Sequence, residues 1–167
     1  MITIRPAHTA DAEQLRQPYV SVIAEQLDYI LQNPNPTLAE EEAFIDSTFA
    51  AGGVILVAEN KQGQLLAMLT LNRQQHPQLK HRASFGLSVG REYRGRSLGR
   101  QLIEQALIWC QTNGVIQLSL EVVQHNPAVR LYQRLGFEVV GTNPMGMSID
   151  SRLYGVITMA TVVPKST

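Results

Sequence analysis

Seven residues, Arg94-Gly95-Arg96-Ser97-Leu98-Gly99-Arg100, form a glycine- and arginine-rich turn between a β-like run and an amphipathic helical run. Such a turn suits an anion. Glycine lets the backbone come close, and the N–H groups of the first helical turn point outward at partial positive charge. The three arginines add full charges. Further on, Tyr132 stands on a second helical run, after His125-Asn126-Pro127 and before Leu135-Gly136-Phe137. A phenol is protonated at neutral pH, with a pKa of about 10, and can give its proton to a strongly basic leaving group. Glu121 lies on the polar face of the run between turn and tyrosine, where a carboxylate can take a proton. Phosphate binding followed by proton transfer is the chemistry these types and spacings allow.

These groups need a framework. Phe85–Val89 is the apolar end of a strand read over 82–89. Leu98, Leu102, Ala106 and Trp109, with Ile103 and Cys110 beside them, recur at helical spacing, and Asn113-Gly114 stops the helix. A strand follows over 115–123, with Ile116, Leu118, Leu120 and Val122 on one face and Gln117, Ser119 and Glu121 on the other. Asn126 caps a helix that starts at Pro127, and Gly136 ends it.

The rest of the chain supplies a sheet and two more helices. Strands are read over 2–5, 54–59 and 64–72, the last two joined by the turn Asn60-Lys61-Gln62-Gly63. A helix is read over 11–31, broken near Pro18. Asn33-Pro34-Asn35-Pro36 is a stiff loop, and Thr37 with Glu40 forms a capping box for a helix reaching about Ala50. Two last strands fit 137–141 and 154–163, with a loop over 141–151 between them. The class is α+β, a mixed and largely antiparallel sheet of about seven strands with helices on both faces. Residues 1–167 are read as one domain.

Residues 94–137 resemble the GCN5-related N-acetyltransferase (GNAT) superfamily. Its acetyl-CoA loop, Arg/Gln-x-x-Gly-x-Gly/Ala, corresponds to Arg94, Ser97 and Gly99. Its later motif, an asparagine loop leading to Ala-x-x-x-Tyr-x-x-x-Gly-Phe, corresponds to Asn126, Ala128, Tyr132, Gly136 and Phe137. Ile4-Arg5-Pro6-Ala7, Gly141-Thr142 and Met159-Ala160 extend the likeness over nearly the whole chain.

The resemblance implies the GNAT topology and acetyl-CoA as cosubstrate, without a metal. Main-chain groups of Leu87, Ser88 and Val89 would hold the pantetheine arm, and Val89 N–H would face the oxyanion. Residues Arg94, Gly95, Arg96, Ser97, Leu98, Gly99 and Arg100 would hold the pyrophosphate. Asn126 would touch the cofactor, although His125 has the family's usual spacing to the tyrosine. Tyr132 would be the general acid. Glu121, within Leu120-Glu121-Val122, matches a base of the ribosomal-protein N-terminal acetyltransferases; the other common glutamate position is Ser84 here, and His81 and His125 are alternatives. Ser97, in place of the loop's middle glycine, is expected to have helical backbone angles and to offer its hydroxyl to a phosphate.

The expected activity is acetyl transfer to the primary amine of a small molecule, such as an amino acid or polyamine. A protein N-terminus is the alternative acceptor, and a non-catalytic acyl-CoA sensor is the alternative class. Acceptor selectivity is expected from residues 11–35, 74–80 and 141–151. Fourteen basic and fourteen acidic residues balance, so no global field exists to hold nucleic acid. No P-loop motif is present. No apolar run approaches a membrane span, no signal-peptide pattern opens the chain, and Cys110 is the one cysteine, so a cytoplasmic setting and a structural thiol are expected. A homodimer is compatible with the sequence, which does not demand one.

Overall fold

In a computed structural model, residues 1–30 and 35–166 are described, with only the backbone for 18–24. Among them seven strands form one sheet in the order β1-β2-β3-β4-β5-β7-β6. The strands are β1 Thr3–Pro6, β2 Val54–Glu59, β3 Leu65–Arg73, β4 Arg82–Val89, β5 Gln117–Val123, β6 Glu138–Ile149 and β7 Arg152–Val162. All neighbours run antiparallel except β4 and β5. The helices are α1 Ala12–Glu25, α2 Leu38–Ala50, α3 Leu98–Thr112 and α4 Val129–Arg134.

Strand alternation splits the core into two layers. On one side, Leu56, Leu69, Phe85, Leu118 and Leu120 pack with Leu102, Ile103 and Ala106 of α3 and Tyr132 of α4. On the other, Ile55, Val57 and Met68 pack with Leu15 of α1 and Ile45 of α2. The expected mixed sheet with helices on both faces is what forms.

Several expectations needed correction. Helix α1 runs through Pro18 without a break and stops at Glu25, where Gln26 turns left-handed at φ 51°. One missing N–H is tolerable because the first turn of α1 is anchored: Gln14 bonds Gly63 O and Leu65 N, and Leu15 is buried. The Asn33–Pro36 loop lies partly outside the described residues. Ile116 precedes β5 and is exposed, not part of its apolar face. Helix α4 starts at Val129, because Asn126 folds residues 126–128 into an Asx turn instead of capping at Pro127: its Oδ1 accepts from Ala128 N at 2.9 Å. The loop expected over 141–151 is mostly strand. β6 continues to Ile149, and Asp150 and Ser151, at φ 48° and 62°, make the tight turn into β7. Pro144 sits in the irregularity between Asn143 and Met147, where β6 drops out of register, and this removes the conflict between proline and a ladder.

Candidate active site

The parallel pairing of β4 and β5 is short. Arg82 pairs with Gln117, Ala83 with Leu118 and Ser84 with Ser119, and there it ends. β4 continues to Val89 and β5 to Val123, so the two strands part and leave an opening.

The ladder on the other edge of β4 decides which groups face that opening. Gln74 N bonds Arg82 O and Gly90 N bonds Leu66 O, so the even-numbered residues of β4 exchange hydrogen bonds with β3. The main-chain groups of Phe85, Leu87 and Val89 therefore point the other way, into the opening. Ser88 is one of the expected arm contacts, but its main chain is spent on β3. The same count on β5, from Gln124 N to Gly155 O and Val163 N to Ile116 O, turns the main chain of Glu121 toward β4.

The loop after β4 is bent by two left-handed residues. Gly95 has φ 75° and Ser97 has φ 61°, ψ 12°. The helical conformation expected of Ser97 is not adopted. The position demands what glycine provides freely, and serine carries a strain of about 1 kcal/mol there. Gly99 has a packing task. It is buried in the first turn of α3, and a Cβ would lie 3.2 Å from Leu87 Cδ2 and 3.4 Å from Leu131 Cδ2. Its bareness lets α3 sit close to β4 and α4.

The three arginines are not equivalent. Arg94 is bound in a fork to Glu25, at 2.7 and 2.9 Å, and its Nε donates to Val89 O at 3.2 Å. Arg100 pairs with Glu104 along the exposed face of α3. Arg96 lies over the Tyr93 ring, 5.7 Å from its centre, and has no carboxylate partner among the described residues. Of the three, Arg96 is the cation best placed to answer a phosphate, together with the N–H groups of residues 96–100 at the start of α3.

Tyr132 is 6 % exposed and stands against Phe85 and Phe137 in edge-to-face contacts. Burial pushes its phenol up to about 12, so it holds its proton throughout the neutral range. Glu121 is exposed on the opposite face of the sheet. It shares an open cleft of about 360 Å³ with Gly141, Thr142, Asn143, Gly146, Val156 and Thr158. Ser84 points to the same face as Glu121, one strand away, where the strands part.

The other base candidates separate clearly. His81 precedes β4 at its closed end, where its carbonyl accepts from Ile116 and Gln117. That is about 13 Å of strand before the opening begins. His125 turns toward α1's end: its Nε2 lies 3.1 Å from Asp28 Oδ1, and its ring stands against Tyr154 and Tyr29. Asn126 is committed at both ends of its amide, to Ala128 N and to Tyr29 O at 3.1 Å. Both side chains of the 125–126 pair have partners at residues 28 and 29. Cys110 is fully buried and its thiol is pushed up to about 12, which leaves it no role as a nucleophile. Sequence reasoning missed Glu25 and Asp28. Glu25 ends α1 and Asp28 follows it, and no local motif marks a carboxylate whose partner is 69 or 97 residues away.

Residues 19–137 match the model of the acetyltransferase (GNAT) family. The chain belongs to that family. It is 30% identical over 145 residues to the L-amino acid N-acetyltransferase AaaT of Escherichia coli (strain K12), covering 84% of this chain and 85% of the relative. A GNAT-family acetyltransferase from Streptococcus pneumoniae superposes with a TM-score of 0.87 at 25% identity, over 98% of this chain and 100% of that one. A GNAT-superfamily phosphinothricin acetyltransferase from Sinorhizobium meliloti, solved with AcCoA, gives 0.88 at 18% identity, over 97% and 88%. This GNAT chain is thus an acyltransferase, and its acyl donor is acetyl-CoA. The residues present fit that donor: the main-chain groups of Leu87 and the N–H of Val89 face the opening without a partner among the described residues, and a bent N–H-rich loop follows them. Among the described residues, no helix is long and apolar enough to cross a membrane.

Proposed function

We propose that this GNAT enzyme moves the acetyl group of acetyl-CoA directly to the primary amine of a small molecule, an amino acid or a polyamine, in the reducing cytoplasm. One observation supports this reading most: the β4–β5 pairing ends at Ser84 and Ser119, with Tyr132 against Phe85 of β4 on one face just beyond it and Glu121 of β5 on the other. A donor entering on the α3 side and an amine entering on the Glu121 side meet there without a covalent enzyme intermediate. The relative active on L-amino acids supports a small amine.

The roles follow from charge development. Leu87 and Val89 bind the arm through their main chain, as a further strand would. As the amine attacks, charge grows on the thioester oxygen, and Val89 N–H stabilises it from a fixed position. Glu121, directly or through water, takes the amine proton. The departing thiolate receives the proton that burial keeps on Tyr132. The buried Cys110 supports direct transfer, because no activated nucleophile stands at the opening.

Leu120-Glu121-Val122 favours a second reading, a protein N-terminus as acceptor. A CoA-release assay over amino acids, polyamines and N-terminal peptides separates the two. Turnover with small amines and none with peptides is expected. Turnover confined to peptides overturns the small-molecule reading, and bound acetyl-CoA with no turnover on any amine favours a sensor.

A further inference from the structure

Glu25 is the last residue of α1, where a carboxylate faces the negative end of a helix and is disfavoured. Its side chain is nevertheless held at 10 % exposure by Arg94, and the fork between them is bidentate. The same guanidinium reaches the last carbonyl of β4 through Nε. Three of its five N–H donors are therefore used inside the chain. The Arg94 charge is matched by a carboxylate, whereas Arg96 next to it is not so matched. Helix α1 packs on the Glu121 face of the sheet, and Val89 borders the opening. The Glu25–Arg94 pair thus joins the amine side of the molecule to the strand end that faces the donor.

We propose that Glu25 is a positioning residue for acetyl transfer: through Arg94 it holds the Val89 end of β4, and Arg94 serves as a strut between α1 and β4, not as a phosphate ligand. This rests on the reading that Leu87 and Val89 seat the pantetheine arm. The Val89 carbonyl is occupied by Arg94, which fixes the peptide plane that follows it. With Gly90 N bonded to Leu66 O and Ser88 paired on β3, the strand end that carries Val89 N–H is then held from both sides when the arm and the oxyanion need it. Loss of the strut lets the end of β4 relax, and the arm loses its seat while the phosphate loop, built on Gly95, Ser97 and α3, stays intact.

Calorimetry on the full chain with two ligands tests this. One is acetyl-CoA. The other is 3′-phosphoadenosine 5′-diphosphate, the nucleotide half without the arm. Glu25→Gln and Arg94→Gln should each weaken acetyl-CoA about tenfold and leave the nucleotide half unchanged, and the double variant should be no worse than either single one. Arg94→Lys can still meet Glu25 but cannot bridge to Val89 as well, so it should behave like Arg94→Gln. If Arg94→Gln weakens both ligands alike while Glu25→Gln changes neither, Arg94 is a phosphate ligand and the strut is overturned. Additive losses in the double variant overturn it too. If wild type binds both ligands equally, the arm has no seat on β4, and that reading fails together with the strut. If wild type prefers acetyl-CoA and Glu25→Gln is silent, the strut alone fails.

Discussion

Ser84 pairs with Ser119, and no residue of β4 beyond Ser84 pairs with β5. From that pair onward β4 offers alternate main-chain groups to an opening, while the intervening ones remain in the β3 ladder. Hydrogen exchange should record the difference. Without ligand, the Gly86 and Ser88 amides should be protected and those of Leu87 and Val89 should exchange fast. With acetyl-CoA, Leu87 and Val89 should slow and the even pair should change little. Unchanged Leu87 and Val89 amides in the saturated enzyme would place the arm elsewhere.

Ser97 holds φ 61° at the position where the family loop has glycine. Ser97→Gly relieves strain of about 1 kcal/mol but gives back a similar backbone entropy, so thermal stability should move by only a few degrees. Acetyl-CoA affinity should stay within about tenfold. Ser97→Val forces a β-branched side chain into the left-handed region and should lower both. Denaturation scans and calorimetry check this. A large loss on Ser97→Gly would show that the hydroxyl, rather than the bend, holds the phosphate.

Glu41 of α2 is 2 % exposed, and its Oε1 has no hydrogen-bond partner. Burial raises its pKa above the ordinary 4.5, against a smaller opposing pull from Arg16. The folded state therefore favours the protonated acid. Its contribution is complete below about pH 4.5 and is lost as pH rises through the raised folded value. Glu41→Gln should raise the melting temperature at pH 7 and change it little at pH 4. A lower melting temperature at pH 7 would mean that the carboxylate itself is bonded and stabilising.

Much of this was legible in the sequence because it was local. The strands over 54–59 and 82–89, the capping box at Thr37 and Glu40, and the stripe of α3 depend on period and on caps, and they form where expected. The loop motif located the turn between β4 and α3. What was not legible depended on contacts distant in sequence. The partners of Arg94 and His125, Glu25 and Asp28, lie far away along the chain, and no local pattern announces them. Nothing local to Gly99 shows that the tips of Leu87 and Leu131 lie against it. Ser97 departs from expectation for another reason: its backbone angle is set by the turn as a whole, which imposes a left-handed bend even on a residue with a Cβ.

The most direct test of the account is the single-turnover rate of Tyr132→Phe with saturating acetyl-CoA and an accepted amine. The change keeps the ring against Phe85 and Phe137 and removes only the transferable proton. General acid catalysis contributes about 10²–10⁴-fold, so the rate should fall at least tenfold while acetyl-CoA affinity is nearly unchanged. A Tyr132→Phe enzyme that transfers acetyl at the wild-type single-turnover rate would contradict the mechanism and leave Tyr132 as a packing residue.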